Sequence, residues 1–266
     1  MAWSLASVAK LPVLMIDANP KQIERGMKYI SVLMDKDILK GKSTENDKTE
    51  ALARIKTANE LSDFKDSMFI IESASENQTL KRDIFKELGR LVSAEAVLAT
   101  NTSTGSITRL GAVSGRPDQV VGMHFPLPTP MSRLVEVVPG LRTSDRTVET
   151  ATDLAKRMGK FVTKSSDYPG FTAYRVLLPM VNEAIFVLGE GRALKEDIDS
   201  TFKTLNLPVG PLEMADIIGL DTCLAILKTM YTQYGDSKYR PAPLLVKLVD
   251  AGWLGRKNGR GFYVYE

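Results

Sequence analysis

The sequence predicts a doubly wound α/β domain followed by an all-helical domain, and two observations carry the prediction. From residue 11 to about residue 165, short β-rich runs alternate with amphipathic helical segments, the rhythm of βαβ units around a parallel sheet. After DYPGF, Asp167 to Phe171, the β-rich runs stop, and long helical patterns with wide apolar faces continue to residue 251. The boundary therefore falls near Asp167, with an α/β domain over 1–167 and a helical domain over 168–266.

The first strand candidate, PVLMID, ends on Asp17 and runs into a helix that starts at Asn19-Pro20 and continues through PKQIERGMKYISVLMDKDILKG. In nucleotide-binding α/β domains an acid in that position closes the second strand and takes ribose hydroxyls, about 20 residues after a glycine-rich turn. Here ten residues, MAWSLASVAK, precede the strand, and none is glycine. The next strands are SMFIIESA, AVLATN, VVGMHF, RLVEVVPG and KFVTKSS. Between them, QTLKRDIFKELGRLV and TVETATDLAKRMG carry apolar residues at three- and four-residue intervals, as helices packed on a sheet do. The second domain contributes RVLLPMVNEAIFVLGEG, PLEMADIIGLDTCLAILKTMYTQYG and APLLVKLVDAG.

Bulk properties exclude several classes. A net charge of +3 with acids and bases interspersed, and no run of five or six like charges, gives no case for nucleic acid. The mild positive excess suits an anionic small ligand and equally an ordinary soluble surface. The single cysteine, Cys223, lies in an apolar run, which rules out disulfide stapling and points to a core thiol in a reducing compartment. No apolar run reaches the length of a membrane span, and the first ten residues make a poor targeting peptide. The expected location is the cytoplasm, with the mitochondrial matrix or peroxisome also compatible.

The chemistry concentrates between residues 101 and 136. His124, the only histidine, stands where VVGMHF ends, and after a proline-rich turn the returning strand carries Glu136 within a run that is otherwise Leu and Val. A carboxylate in a buried strand needs a partner, and a neighbouring histidine held in one tautomer by it is suited to general-base work. Pattern alone leaves open a half-exposed Glu and a structural His. The polar run Asn101, Thr102, Ser103, Thr104 follows a strand end, where ligands bind in open α/β sheets, and reads equally well as a plain turn.

ATNTS, GRPDQVVGMHF, LVEVV, DYPGF, GPLEMADIIGLD and GWLGRKNGRGFYVY together resemble the L-3-hydroxyacyl-CoA dehydrogenase family, including its short 3-hydroxybutyryl-CoA type, from Asp17 to Tyr265. The resemblance implies a Rossmann-like domain, NAD as cofactor, no metal, an acyl-CoA substrate, a homodimer, and oxidation of an L-3-hydroxyacyl-CoA in fatty-acid or butyrate metabolism. It makes His124 and Glu136 the catalytic pair, and Ser103 a residue that contacts both substrate and cofactor. It places Asp17, Glu76, Lys81 and Lys257 on the cofactor side, and Lys40 on the coenzyme A side. The acid at Asp17 favours NAD over NADP, because its charge repels a 2′-phosphate.

Three departures stand against that pattern. Members of the family begin with a strand and a glycine-rich turn, whereas MAWSLASVA looks like the following helix start with its glycines replaced. Met1 then falls at the turn, and the first, central strand and the phosphate cradle are expected to be missing. Either the sheet closes differently, another segment fills the place, or the gene product starts upstream. Residues 1 to 10 are expected to be helical but poorly anchored, and NADH to be held weakly. Leu127 stands where the family has an amide near the nicotinamide, and Tyr174 where it has an Asn that helps to hold the substrate carbonyl. Tyr174 could donate one hydrogen bond to substrate from further out. The opposing reading is a catalytically impaired paralogue that serves as a binding or structural protein.

Overall fold

The computed structural model describes residues 1–126 and 132–265. The chain divides into two compact units: Met1–Thr102 with Ser106–Asp167, and the chain from Tyr168 onward with Ser103–Gly105.

In the first unit, β1 (Val13–Ile16) pairs in parallel with β2 (Ile55–Ala58) as a two-stranded sheet. A separate five-stranded sheet has the order β3 (Phe69–Glu72), β4 (Val97–Thr100), β5 (Val120–His124), β6 (Leu134–Pro139) and β7 (Phe161–Lys164). Its pairings are parallel except β5 with β6, which is antiparallel. Among the described residues no strand pairs with the edge of β1 opposite β2 or the edge of β3 opposite β4. Among the described residues the strands therefore form two separate sheets rather than one continuous ladder.

The helices between strands follow their local chemistry. Helix α1 (Pro20–Leu39) starts with proline at its first turn and an Asn19 side chain that accepts from the Lys21 amide, and it buries Ile23, Ile30 and Met34 along one face. Helix α2 (Glu45–Ala53) is set by a reciprocal capping box between Thr44 and Asp47. Asn77 caps α3 (Gln78–Leu91), whose buried face carries Lys81, Phe85 and Leu88. Ser106 caps α4 (Ile107–Ser114), and Ser144 caps α5 (Asp145–Arg157). Asp167, where the two units meet in sequence, accepts from the Ile107 and Thr108 amides at 2.8 Å each, which fixes the start of α4. Gly122 in β5 is required by close approach, since a Cβ there would lie 2.9 Å from both Ile107 Cδ1 and Val138 Cβ.

The N-terminal residues correct one expectation. Ser4–Val8 form a π-helical turn that is well anchored: Ala6 is fully buried against Ile30, Met34, Ala51 and Ile55, while Met1, Leu5 and Ala9 pack on the core beneath β4, β5 and α5. The small side chain of Ala6 lets the turn sit close to α1 and α2. Apolar burial on both sides then supplies the anchoring that a preceding strand was expected to provide.

The second unit is helical: α6 (Ala173–Gly189), α7 (Lys195–Thr204), α8 (Pro211–Ile218), α9 (Leu220–Tyr234) and α10 (Pro243–Asp250). Its core joins Leu178, Val181 and Ile185 to Leu212, Ala215, Cys223, Leu227, Met230 and Leu245. The apolar stretch read as one segment is two helices, because Gly219 adopts φ +100° and turns the chain between α8 and α9. Two buried carboxylates fasten the C-terminal segment. Asp216 accepts from the Phe262 and Tyr263 amides and the Tyr265 hydroxyl, and Asp199 accepts from the Leu212 and Glu213 amides and the Tyr263 hydroxyl. Burial pushes the Asp216 carboxyl up despite these donors. Among the described residues no helix is long and apolar enough to cross a membrane.

Candidate active site

Every residue of β5 is buried, so His124 leaves the strand at its C-terminal end with its ring held inside the protein. The antiparallel register sets His124 directly opposite Glu136, and side chains opposite one another across two strands share a face of the sheet. His124 Nδ1 lies 2.7 Å from Glu136 Oε2, with the two residues 1% and 0% exposed. With Nδ1–H donating to the carboxylate, the proton-accepting atom of the neutral ring is Nε2. The register also explains why a 12-residue separation works: the two strands fold back so that these two positions, and not their neighbours, coincide.

A second constellation sits at the ends of β3 and β4. Glu72, the last residue of β3, is 6% exposed and receives the Lys81 ammonium at 2.8 and 3.1 Å, the Thr100 hydroxyl at 2.7 Å and the Ala74 amide at 2.6 Å. Lys81, fully buried, gives a further proton to the Ala74 carbonyl at 3.0 Å, so its ammonium donates to both Glu72 oxygens and to this carbonyl. A buried ion pair is stable only when such additional bonds offset its desolvation. The Thr102 amide donates to the Thr100 hydroxyl at 3.3 Å, and the Thr102 hydroxyl donates to Glu76 Oε1. Glu76 Oε2 lies 3.9 Å from the Lys81 ammonium, and its side chain is 29% exposed.

Residues 1–168 match the 3-hydroxyacyl-CoA dehydrogenase NAD binding domain, and residues 170–265 match the 3-hydroxyacyl-CoA dehydrogenase C-terminal domain. The chain belongs to the 3-hydroxyacyl-CoA dehydrogenase family. It is 45% identical over 263 residues to a 3-hydroxybutyryl-CoA dehydrogenase of Bradyrhizobium diazoefficiens, a match that covers 98% of this chain and 90% of that one. The crystal structure of (S)-3-hydroxybutyryl-CoA dehydrogenase PaaH1 from Ralstonia eutropha superimposes with a TM-score of 0.89 at 45% identity, covering 100% of this chain and 94% of that one. That of M. tuberculosis FadB2 gives a TM-score of 0.94 at 35% identity, covering 99% and 95%.

As a 3-hydroxyacyl-CoA dehydrogenase the chain uses NAD, and its α/β unit offers carboxylate acceptors that fit the sugar hydroxyls of that cofactor. Asp17 is an exposed carboxylate directly after β1, with Oδ1 accepting from the Asn19 amide at 2.8 Å. Glu76, in the loop between β3 and α3, is a second acceptor. For the pyrophosphate, the segment ahead of α1 carries no glycine, the first in the sequence being Gly26. Lys81, read from the sequence as a cofactor contact, is buried and held by Glu72, so the outward-facing member of that group is Glu76. Lys40 is exposed at the C-terminal cap of α1.

In the helical unit, the Ser103 carbonyl accepts from the Gly170 amide at 3.0 Å, which ties the loop after β4 to the PGF turn. Lys257 pairs with Asp221, 2.5 Å from Oδ2. Tyr174 is 1% exposed and belongs to the core cluster of this unit with Leu178 and Met230. Its ring packs within that core. Leu127 lies outside the described residues. Sequence reasoning missed Glu72 altogether, although a signal was there: Lys81 shares the i, i+4, i+7 face of α3 with Phe85 and Leu88, and a lysine on an apolar face requires a buried acid.

Proposed function

We propose that this chain oxidises a short L-3-hydroxyacyl-CoA, with 3-hydroxybutyryl-CoA as the type substrate, to the 3-ketoacyl-CoA. The observation that carries the reading is the buried His124–Glu136 pair at 2.7 Å. His124 takes the substrate hydroxyl proton at Nε2, Glu136 keeps the ring in the required tautomer and stabilises the imidazolium that forms, and Ser103 positions the oxygen. NAD, when bound, supplies the chemistry of accepting the hydride from C3. The burial of both members of the pair keeps competing water from the proton being moved. Asp17 and Glu76 hold sugar hydroxyls, Lys257 lies on the cofactor side, and Lys40 meets the coenzyme A portion. The enzyme works as a homodimer through its helical unit, a reading supported by Val176 and Tyr231, which are 71% and 43% exposed on α6 and α9. Its setting is a reducing compartment such as the cytoplasm.

The test is the reverse reaction, because acetoacetyl-CoA and NADH give a direct loss of NADH absorbance. Turnover abolished by His124→Gln supports the assignment. No turnover by the purified parent chain, with acyl-CoA binding retained, would instead favour the paralogue that binds without catalysis.

A further inference from the structure

We propose that Tyr234 is a positioning residue for the reaction, which holds the peptide group between Pro169 and Gly170 and through it fixes the place of Ser103. The inference rests on the reading of Ser103 as the residue that positions the substrate oxygen.

The hydroxyl of Tyr234, the last residue of α9, donates to the Pro169 carbonyl at 3.0 Å. The Gly170 amide donates to the Ser103 carbonyl, also at 3.0 Å. Both bonds engage one peptide group, because the Pro169 carbonyl and the Gly170 N–H belong to the same planar unit. Tyr234 grips that plane at its oxygen, and the plane grips Ser103 with its hydrogen. A rotation of the plane would therefore carry the Ser103 backbone with it, and with the backbone the hydroxyl on the same residue. Two hydrogen bonds in series through one peptide also polarise each other, so the loss of one weakens the other.

The surroundings keep this turn and the Tyr234 ring in place. Gly170 adopts φ +83°, and a Cβ there would lie 2.9 Å from Met230 Sδ and 3.1 Å from the Arg175 nitrogen. The Gly170 carbonyl accepts from the Arg175 amide at 3.0 Å. The Arg175 guanidinium lies over the Tyr234 ring, 4.0 Å from its centroid, and 4.7 Å from that of Tyr239. Its Nη1 is buried and has no hydrogen-bond partner among the described residues, so aromatic faces receive this side of the cation. The circuit closes on itself: Arg175 is tied through its backbone to Gly170 and through its side chain to the ring whose hydroxyl holds Pro169. A bond that merely satisfied a tyrosine hydroxyl would leave Ser103 indifferent to its loss, whereas the shared peptide makes Ser103 sensitive to it.

A double-mutant cycle on kcat/KM for acetoacetyl-CoA with NADH tests the inference, each variant being assayed well below its melting transition. Tyr234→Phe removes the hydroxyl and keeps the ring under Arg175. It should lower kcat/KM about tenfold, less than the roughly 10²-fold that a misplacement of about 1 Å costs. Ser103→Ala should lower it about 10²-fold, the worth of one donor at the reacting oxygen. The double variant should stay within about twofold of Ser103→Ala alone, because Tyr234 acts only through Ser103. The same cycle, read on the acetoacetyl-CoA dissociation constant by calorimetry, should show the same lack of addition whether or not the parent chain turns over. Unchanged values in Ser103→Ala would overturn the reading of Ser103. A loss in Ser103→Ala with none in Tyr234→Phe, or losses that multiply in the double variant, would overturn the positioning role of Tyr234.

Discussion

The carboxamide oxygen of Asn101 accepts the amide proton of Phe125 at 2.8 Å, which ties the loop leaving β4 to the residue directly after His124. The Asn101 amide in turn donates to the Glu72 carbonyl at 2.8 Å, so one side chain and its own backbone connect the ends of β3, β4 and β5.

Asn101→Leu is expected to cost about 1–3 kcal/mol, because the Phe125 amide loses its acceptor in a place where Phe125 is 2% exposed. Asn101→Asp keeps an acceptor and should cost less. Urea unfolding midpoints of the two variants against the parent check the order.

His124→Gln should lower kcat by about 10²- to 10⁴-fold, the worth of a positioned general base, because glutamine can still donate to Glu136 but cannot take a proton. The Tm should stay close to that of the parent. Activity retained within tenfold would assign the proton transfer to another group.

Replacing Tyr174 by Asn, the residue common at its place in the family, should not be a simple gain. The ring is 1% exposed, and its removal leaves a cavity lined by apolar side chains, at a cost of about 3–5 kcal/mol. Each kcal/mol lowers the Tm by roughly 2–4 °C in a protein of this size. Tyr174→Phe keeps the ring and should melt well above Tyr174→Asn in a thermal scan.

Burial pushes the Cys223 thiol up to about 12 from an ordinary value of 9.0. The unfolded chain releases this proton near its ordinary value and the folded chain retains it. The contribution to stability is therefore complete below 9.0 and is lost as the pH rises towards about 12, by up to roughly 1.4 kcal/mol per pH unit. Tyr263 and Tyr265, pushed up by burial and by their bonds to Asp199 and Asp216, add to the same alkaline loss. Urea midpoints measured from about pH 8 to pH 10 should fall less steeply in Cys223→Ala than in the parent. Iodoacetamide should label the parent only when urea opens the core.

How much of this was legible follows from where the apolar residues lie. AVLA and VVGMH are buried at every position, so their strands stand out as unbroken runs. Strand β2, IKTA, buries only Ile55, and α2 buries only Ala51, so neither leaves a periodic signal; the capping box of Thr44 and Asp47 is the one mark of α2. Helix α7 is similar, with Ile198 and Asp199 alone buried in a charged sequence. The partnership of His124 and Glu136 could be proposed from a carboxylate within LVEVV, but only the register of β5 against β6 makes the two coincide. The Glu72–Lys81 pair needed the fold, because its members are nine positions apart, across a strand end, a loop and the start of a helix.

The break between the two sheets gives the α/β unit a seam. A hydrogen-bonded ladder is what makes a sheet stiff across its strands, and none runs from β1 to β3 among the described residues; side chains of the N-terminal turn pack on both sides instead. Packing without a ladder is easier to open locally, so the amides of Val13–Ile16 and Ile55–Ala58 are expected to exchange with deuterium before those of Val97–Thr100 and Val120–His124, which hydrogen-exchange measurements would check. Asp17 directly follows β1 in the first of these regions, and His124 ends β5 in the second, so the two positions are expected to differ in local mobility.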